Sequence, residues 1–204
     1  MIPSRCPLAI VMLLAGLSGP AFAQNPRSCT VTGMEGEARY GVNGVWQPLK
    51  IVTQLPREAR IKTGPKDRVK IACNDGITVT IGVATELDIQ DLASPSRSIF
   101  FRLVDGVVGL VAPGRGWDRI EVRTPLAIAS ARSTEWLVET AAGAETAVFV
   151  RDGRVAVAPA DGTPVDLNAD EGVTIGRDGT AGPVKIWGAA RIARSVDALG
   201  MGWR

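Results

Sequence analysis

Apolar and polar residues alternate along most of the chain between residues 30 and 180. Residues 69–73 alternate, residues 77–81 alternate again, and Asn74, Asp75 and Gly76 stand between the two segments. An Asp-Gly turn between two alternating segments is typical of a β-hairpin. Further Asp-Gly pairs follow at 105–106, 152–153, 161–162 and 178–179, and the chain holds 23 glycines and 13 prolines. This pattern predicts an all-β domain with many turns.

Two of these Asp-Gly pairs stand in similar surroundings. Residues 104–113 and residues 151–159 both begin with an Asp-Gly pair, continue as an apolar segment and end at a proline. Two copies are too few for a solenoid of repeats. The similarity indicates either two related hairpins or turn chemistry that the two segments share.

The end of the chain has helical spacing instead. Ile192, Val196 and Leu199 recur at i, i+4 and i+7, as on one face of an amphipathic helix. Arg191 and Arg194 make the segment mildly basic. We therefore expect a short C-terminal helix, which either packs over an open end of the β domain or docks on a partner or a membrane surface.

The N-terminus is typical of a secretory signal peptide. Arg5 precedes an apolar segment at residues 8–17, and Ala21 and Ala23 supply the small residues of a signal peptidase site. The apolar segment is too short to cross a bilayer, which needs about 20 residues. Cleavage between Ala23 and Gln24 is expected, and no cysteine follows the cut directly, which argues against a lipid anchor.

Cleavage would divide the chain into a signal peptide (1–23), a β domain (24–180) and a C-terminal tail (181–204) that carries the helix. The mature chain would have 204 − 23 = 181 residues, enough for one domain with a proper core. It would be periplasmic, without a transmembrane segment. Only Arg5 is lost among the charged residues, so 22 Lys and Arg face 21 Asp and Glu, and nucleic acid is not an expected partner.

Cys29 and Cys73 are the cysteines that remain after Cys6 leaves with the signal peptide. An even pair in an oxidising compartment predicts a disulfide, with two free buried thiols as the alternative. On the chain-entropy model, closing this loop would stabilise the fold by roughly 4 kcal/mol.

The candidate chemistry argues against an enzyme. The chain has no histidine, the commonest general base near neutral pH, and the two cysteines are committed to each other. No G-x-S-x-G motif and no EF-hand spacing occur. We expect no catalytic residues, no metal site and no cofactor.

Several segments together resemble the FecR domain family. They are the Trp-x-Pro-Leu signature at 45–49, the segment 60–64, the hairpin 69–82 with 84–87, the Thr-Pro segment 124–136, and the strands 148–157 and 171–175. The chain departs from the family pattern at Ser133, where the family has glycine, and around Val52 and Thr53, where a glycine usually follows Pro-Leu. If the glycine replaced by Ser133 serves a positive φ, that position would be strained.

The resemblance implies a single β-rich domain, arranged as a sandwich or roll, or alternatively as a short solenoid. Transmembrane regulators of the family place a cytoplasmic sigma-factor-binding segment and a membrane helix ahead of this domain. Here a signal peptide leads straight into it, so the sequence is identified as a stand-alone, exported form.

The function that the resemblance implies is a non-enzymatic periplasmic binding or signalling module. Its partner would be another envelope protein, such as a membrane-bound sensor or regulator. The alternative is a peptidoglycan- or polysaccharide-binding envelope protein without a signalling role.

Six residues are candidates for an interaction site. Trp117 and Arg115 lie in a Gly-rich loop suited to protein or sugar recognition. Arg132 lies between an apolar segment and Trp136, so we expect it to be partly buried and to hold neighbouring strands through carbonyl or carboxylate contacts, with an anion site as the alternative. The C-terminal tail contributes Trp187, Arg191 and Arg194. Trp46 and Trp136 are predicted core residues.

Overall fold

The computed structural model describes residues 28–56, 58–73, 76–90, 98–113, 118–141 and 144–203. Seventeen strands and one helix lie within these described residues. The strands are β1 (Cys29–Glu35), β2 (Ala38–Val42), β3 (Val45–Pro48), β4 (Gln54–Leu55), β5 (Arg60–Thr63), β6 (Arg68–Cys73), β7 (Thr78–Ile81), β8 (Glu86–Gln90), β9 (Ser98–Val111), β10 (Arg119–Arg123), β11 (Ala127–Ala131), β12 (Glu135–Ala141), β13 (Glu145–Asp152), β14 (Arg154–Pro159), β15 (Val165–Asn168), β16 (Glu171–Ile175) and β17 (Lys185–Ile186), and the helix is α1 (Ala189–Leu199). The predicted all-β class with a short C-terminal helix is confirmed.

The strands form two hydrogen-bonded sheets. Sheet A has the order β4-β1-β6-β7-β9-β12-β13-β16-β17. Sheet B has the order β3-β2-β5-β8-β9-β10-β11-β14-β15. Strand β9 belongs to both, so the network of strands is continuous. This arrangement is a sandwich-like roll and not the solenoid that the sequence left as an alternative.

Strand β9 turns a corner between the two sheets. Its first half pairs with β8 and β10 in sheet B, and its second half pairs with β7 and β12 in sheet A. A straight strand of this length would extend about 45 Å, whereas the chain between Val111 and Arg119 reaches at most about 28 Å. Because Arg119 pairs with Ser98 at the other end of β9, the strand has to bend.

The bend lies at Gly106, which has φ +96°. A Cβ there would lie 2.6 Å from Cα of Thr85, so this position excludes a side chain. The Thr85 hydroxyl accepts a hydrogen bond from the Val107 amide (3.0 Å), and the Thr63 hydroxyl accepts one from the Thr85 amide (2.9 Å). These buried hydroxyls take the place of ladder partners where β9 passes from one sheet to the other.

The sheets bury one apolar core between their inner faces. Ile61, Phe101 and Val157 from sheet B and Ile71 and Trp136 from sheet A are completely buried in this cluster. Strands β1 and β6 are joined at its margin by the disulfide between Cys29 and Cys73, which lie opposite each other in the register. The predicted disulfide is thereby confirmed.

The C-terminal tail covers the outer face of sheet A. Leu199 and Trp203 form a second buried cluster with Val107, Leu137 and Phe149, whose side chains point away from the main core. The predicted stripe residues Ile192 and Val196 pack against this cluster. The helix therefore packs within its own chain, on the face of a sheet.

Glycines let the tail approach the sheet closely. A Cβ at Gly109 would lie 2.6 Å from Nε1 of Trp203, and one at Gly33 would lie 2.8 Å from Cε of Met201. At Gly82, a Cβ would lie 2.7 Å from the carbonyl oxygen of Ala198. The outer face of sheet A is thus flat at these three glycines, and a side chain at any of them would push the tail away.

Polar contacts fix the direction of the tail. Arg68 donates hydrogen bonds to the carbonyl oxygens of Ala198 (3.2 Å) and Asp197 (2.7 Å) at the end of α1. On the other side, Arg191 forms an ion pair with Glu139 of β12. No described helix is long and apolar enough to span a membrane.

Trp46, a predicted core residue, turns out differently, and the strain considered for Ser133 is not found. Trp46 is only half-buried, because it stacks over Gly41 on the outer side of sheet B, whereas Trp136 is completely buried. Ser133 does not have a positive φ and is not strained in this way, but Val52, where the family usually has glycine nearby, has φ +68°.

We expect Gly109→Ala to destabilise the fold by about 1–3 kcal/mol, because the new methyl group overlaps the Trp203 indole. Urea denaturation measures the free energy of unfolding, and limited proteolysis reports release of the tail. Gly188→Ala is the matched control, since a Cβ at Gly188 meets open space. Equal stability of the two variants would contradict the close packing described here.

We expect Val52→Gly to stabilise the fold by about 1 kcal/mol, since glycine adopts a positive φ without strain. Val52 is 77% exposed and loses little buried surface on substitution. Val45→Gly is the control: Val45 is also exposed, lies in β3 and has no positive φ, so that variant should be destabilised. Thermal or urea unfolding that ranks the two variants the other way would refute the assignment of strain to Val52.

Candidate functional site

The outer face of sheet B is open to solvent. Along β14, Arg154, Ala156 and Ala158 are exposed, while Val155 and Val157 between them are buried in the core. On β11, Ile128 is 41% exposed on the same face. The two outer faces of the molecule therefore differ, because the tail packs on sheet A and sheet B presents its outward side chains to solvent.

One half of this open face is neutralised by ion pairs. Arg60 of β5 bonds both carboxylate oxygens of Asp88 (2.6 and 3.2 Å), and Lys62 pairs with Glu86 (2.7 Å). The hydrogen bond and the negative charge of Asp88 raise the pKa of Arg60 above its ordinary value. Since Asp88 is 7% exposed, these contacts compensate its desolvation.

Strand β10 carries a second ion-pair cluster. Glu121, 4% exposed, accepts hydrogen bonds from Arg119 (3.0 Å) and from Arg123 (2.8 and 3.0 Å). The Arg123 guanidinium also lies 4.4 Å from the ring centre of Phe100. Glu121 is thus satisfied by two cations that remain partly exposed.

The other half of the open face contains a groove of about 550 Å³. Its floor follows from the strand register, in which Ser130 of β11 lies opposite Ala156 of β14, and Ala156 opposite Asp166 of β15. Ser130 and Ala156 are small, so the surface is low between the longer side chains of Glu121 and Asp166. We call this depression, lined by Asp118, Arg119, Ser130–Thr134, Arg154, Ala156 and Asp166, the arginine groove.

Arg119, Arg132 and Arg154 line one side of the arginine groove. The last paired residues of β10 and β11 are Ile120 and Ala131, so Arg119 and Arg132 are the next residues on each strand. Arg132 donates from Nε to the backbone carbonyl of Asp118 (3.2 Å). Among the described residues, no carboxylate lies within ion-pair distance of Arg132 or Arg154.

The edges of both sheets are protected. Proline lies within or next to each edge strand: Pro48 in β3, Pro56 after β4, Pro164 before β15 and Pro183 before β17. Proline lacks the amide donor that an added strand would need, and edge prolines counter edge-to-edge association. A partner is therefore more readily accommodated on the open face than at an edge.

The structure places the predicted interaction residues in different environments. Arg132 is exposed and not partly buried as expected, because it follows the last residue of β11, but it does contact a backbone carbonyl. Trp187 stacks on Phe149 at 4.9 Å between ring centres, and Arg191 lies 4.3 Å from the Trp187 ring while it pairs with Glu139. Arg194 is exposed on α1.

The remaining predicted site residues lie outside the described residues. They are Arg115 and Trp117, which precede β10 in the sequence, and the cleavage-site residues Ala23 and Gln24. Arg119, Arg154 and the small floor residues were not predicted as site residues. Alternation along β10, β11 and β14 places each of them on an outward face, but only the strand register brings them together.

Comparison with a family model confirms the resemblance seen in the sequence. Residues 59–156, just under half of the chain, match the family model described as FecR protein. The matched part runs from β5 to the middle of β14. The match includes the arginine groove up to Ala156.

Solved structures support the fold. The chain is similar to two crystal structures, at 1.65 and 2.50 Å resolution, of a protein from Parabacteroides distasonis ATCC 8503 described as an anti-sigma factor. Each comparison has a TM-score of 0.57 and 19% identity, and it covers 66% of this chain and 62% of the other. The matched region thus spans less than two thirds of that protein's length. No curated protein matches the sequence significantly.

Within the described part of the chain, no three His, Cys, Asp or Glu side chains come together as a set that would hold a metal ion. The open face carries exposed guanidinium groups, among them those of Arg132 and Arg154.

We expect Arg132→Ala and Arg154→Ala to change the free energy of unfolding by no more than about 0.5 kcal/mol, as exposed side chains without ion-pair partners. Arg60→Ala is the contrasting variant, because it leaves the buried Asp88 carboxylate without its partner and should cost about 1–3 kcal/mol. Urea denaturation of the three variants measures both values. A large loss from Arg154→Ala would mean that this arginine serves the fold and is not free for a partner.

Proposed function

We propose that this chain is a non-enzymatic periplasmic module that binds another envelope protein, in a signalling role, through the outer face of sheet B. The observation that carries the proposal is the difference between the two outer faces. The chain's own tail occupies the face of sheet A, while the face of sheet B carries an exposed groove with Arg132 and Arg154, which have no carboxylate partner among the described residues.

The family match supports a regulatory role. Residues 59–156 match the FecR family model, and the fold resembles that of a protein described as an anti-sigma factor. Regulators of this kind work by contact with other proteins, and a membrane-bound sensor or regulator is the partner that we propose. The chain would supply the exported part of such a system.

The tail does not serve as the docking element in this proposal. Trp187 and Arg191 use their ring and guanidinium in contacts with Phe149 and Glu139 of sheet A. Releasing them for a partner would expose the apolar cluster around Leu137 and Phe149. On the open face, in contrast, no described element would have to move to admit a partner.

A periplasmic location is supported by two features of the chain. Residues 1–23 have the pattern of a cleavable signal peptide. The bond between Cys29 and Cys73 suits an oxidising compartment, because disulfides persist there and are rare in the cytosol.

Photo-crosslinking in living cells tests the proposal. A photoreactive amino acid replaces Ala158 on the outer face of sheet B or, as a matched control, Ala193 on the exposed side of α1. We expect position 158 to capture one envelope protein in the periplasmic fraction, on a chain whose mass corresponds to a start at Gln24. Position 193 should capture none.

Other outcomes would overturn the proposal. Specific capture from position 193 alone would make the tail the docking element. Capture of peptidoglycan from position 158 would support the alternative of a wall-binding protein without a signalling role. A chain found only in the cytoplasm with residues 1–23 intact would refute the proposed location.

A further inference from the structure

The side chains of the arginine groove define what kind of segment fits into it. We infer that the arginine groove binds an extended, acidic segment of the partner protein, with alternate carboxylate side chains paired to Arg132 and Arg154. The inference rests on the proposed function and specifies the partner chemistry at that face.

The arginines are the first part of the argument. Arg119, Arg132 and Arg154 come from three neighbouring strands, whose axes lie about 4.8 Å apart. Only Arg119 has a carboxylate partner among the described residues, and it shares Glu121 with Arg123. Like charges at this spacing repel one another, and a ligand that brings carboxylates relieves the repulsion.

The geometry of the donors favours carboxylates. A guanidinium presents planar N–H groups that match a carboxylate in a two-pronged hydrogen bond. Arg132 uses Nε for the Asp118 carbonyl, which leaves its terminal nitrogens for a ligand. Arg154 has no ion pair within the described part of the chain.

The floor suits an extended polypeptide. Ser130 and Ala156 form a shallow trough, and Ile128 and Ala158 continue it with apolar surface. In an extended segment, every second side chain lies on the same side, about 7 Å apart. That spacing lets long acidic side chains reach arginines on neighbouring strands.

Asp118 and Asp166 also line the groove and set its selectivity. They lie at its margins, where they would repel a segment with carboxylates at every position. Alternation of acidic and small or apolar residues is the pattern that fits both the arginines and the floor.

Fluorescence anisotropy tests the inference on the purified, disulfide-bonded protein. The probe is a short labelled peptide with glutamate at every second position and valine between, and the control peptide has glutamine in place of glutamate. We expect saturable binding of the glutamate peptide only, weakening as the salt concentration rises. The double variant Arg132→Glu/Arg154→Glu should weaken binding by about tenfold or more. Arg194→Glu, a charge reversal on the exposed side of α1, should leave it unchanged.

Three results would overturn the inference. They are no saturable binding of the glutamate peptide, an equal loss in the Arg194→Glu variant, or tighter binding of an oligogalacturonate, which carries carboxylates on a sugar backbone. Photo-crosslinks from position 158 that survive Arg132→Glu/Arg154→Glu would also overturn it. In that case the proposed binding of an envelope protein at sheet B would still stand.

Discussion

The need to turn the chain sharply between two sheets governs the rest of this structure. Strand β9 belongs to both sheets and bends at Gly106, where the hydroxyl of Thr85 replaces a ladder partner. Other passages between the sheets also contain a residue with positive φ: Gly36, Val52, Glu58, Ala84, Gly153 and Asp170. At each corner, one alternating segment ends and the next begins in the opposite sheet. The core can close only if every corner has the correct geometry, because a strand that entered out of register by one residue would present its polar side inward.

The glycines of sheet A serve a different purpose. They keep its outer face flat, so the backbone of the tail and the indole of Trp203 approach the strands directly. Sheet B has longer outward side chains over most of its width, and they are held by ion pairs instead of by a covering element. The two faces of one continuous strand network are thus specialised by side-chain size alone. One face holds the chain's own tail and the other is open to a ligand.

Much of the fold could be predicted from residue patterns, and the arrangement of the candidate site could not. The alternation of apolar and polar residues predicted the hairpin of β6 and β7. The helical spacing predicted the apolar face of α1 on which Leu199 is buried. The Asp-Gly pair at 105–106 was expected to be a turn, but it is a corner inside β9. Gly153 occupies a comparable corner between β13 and β14, so the similarity of the two segments reflects shared backbone geometry. Arg132 was predicted as a candidate site residue from the residues that flank it in the sequence. Its grouping with Arg154 depends on the pairing of β11 with β14, which alternation within each strand does not specify.

The prolines at the sheet edges affect how copies of the protein meet when many of them share a confined space. Pro48 removes one donor from the edge strand β3, and Pro56, Pro164 and Pro183 lie beside the ends of the edge strands β4, β15 and β17, which are thereby kept short. Edge-to-edge pairing of two copies is therefore disfavoured, and crowding alone gives the sheets no ready template to extend.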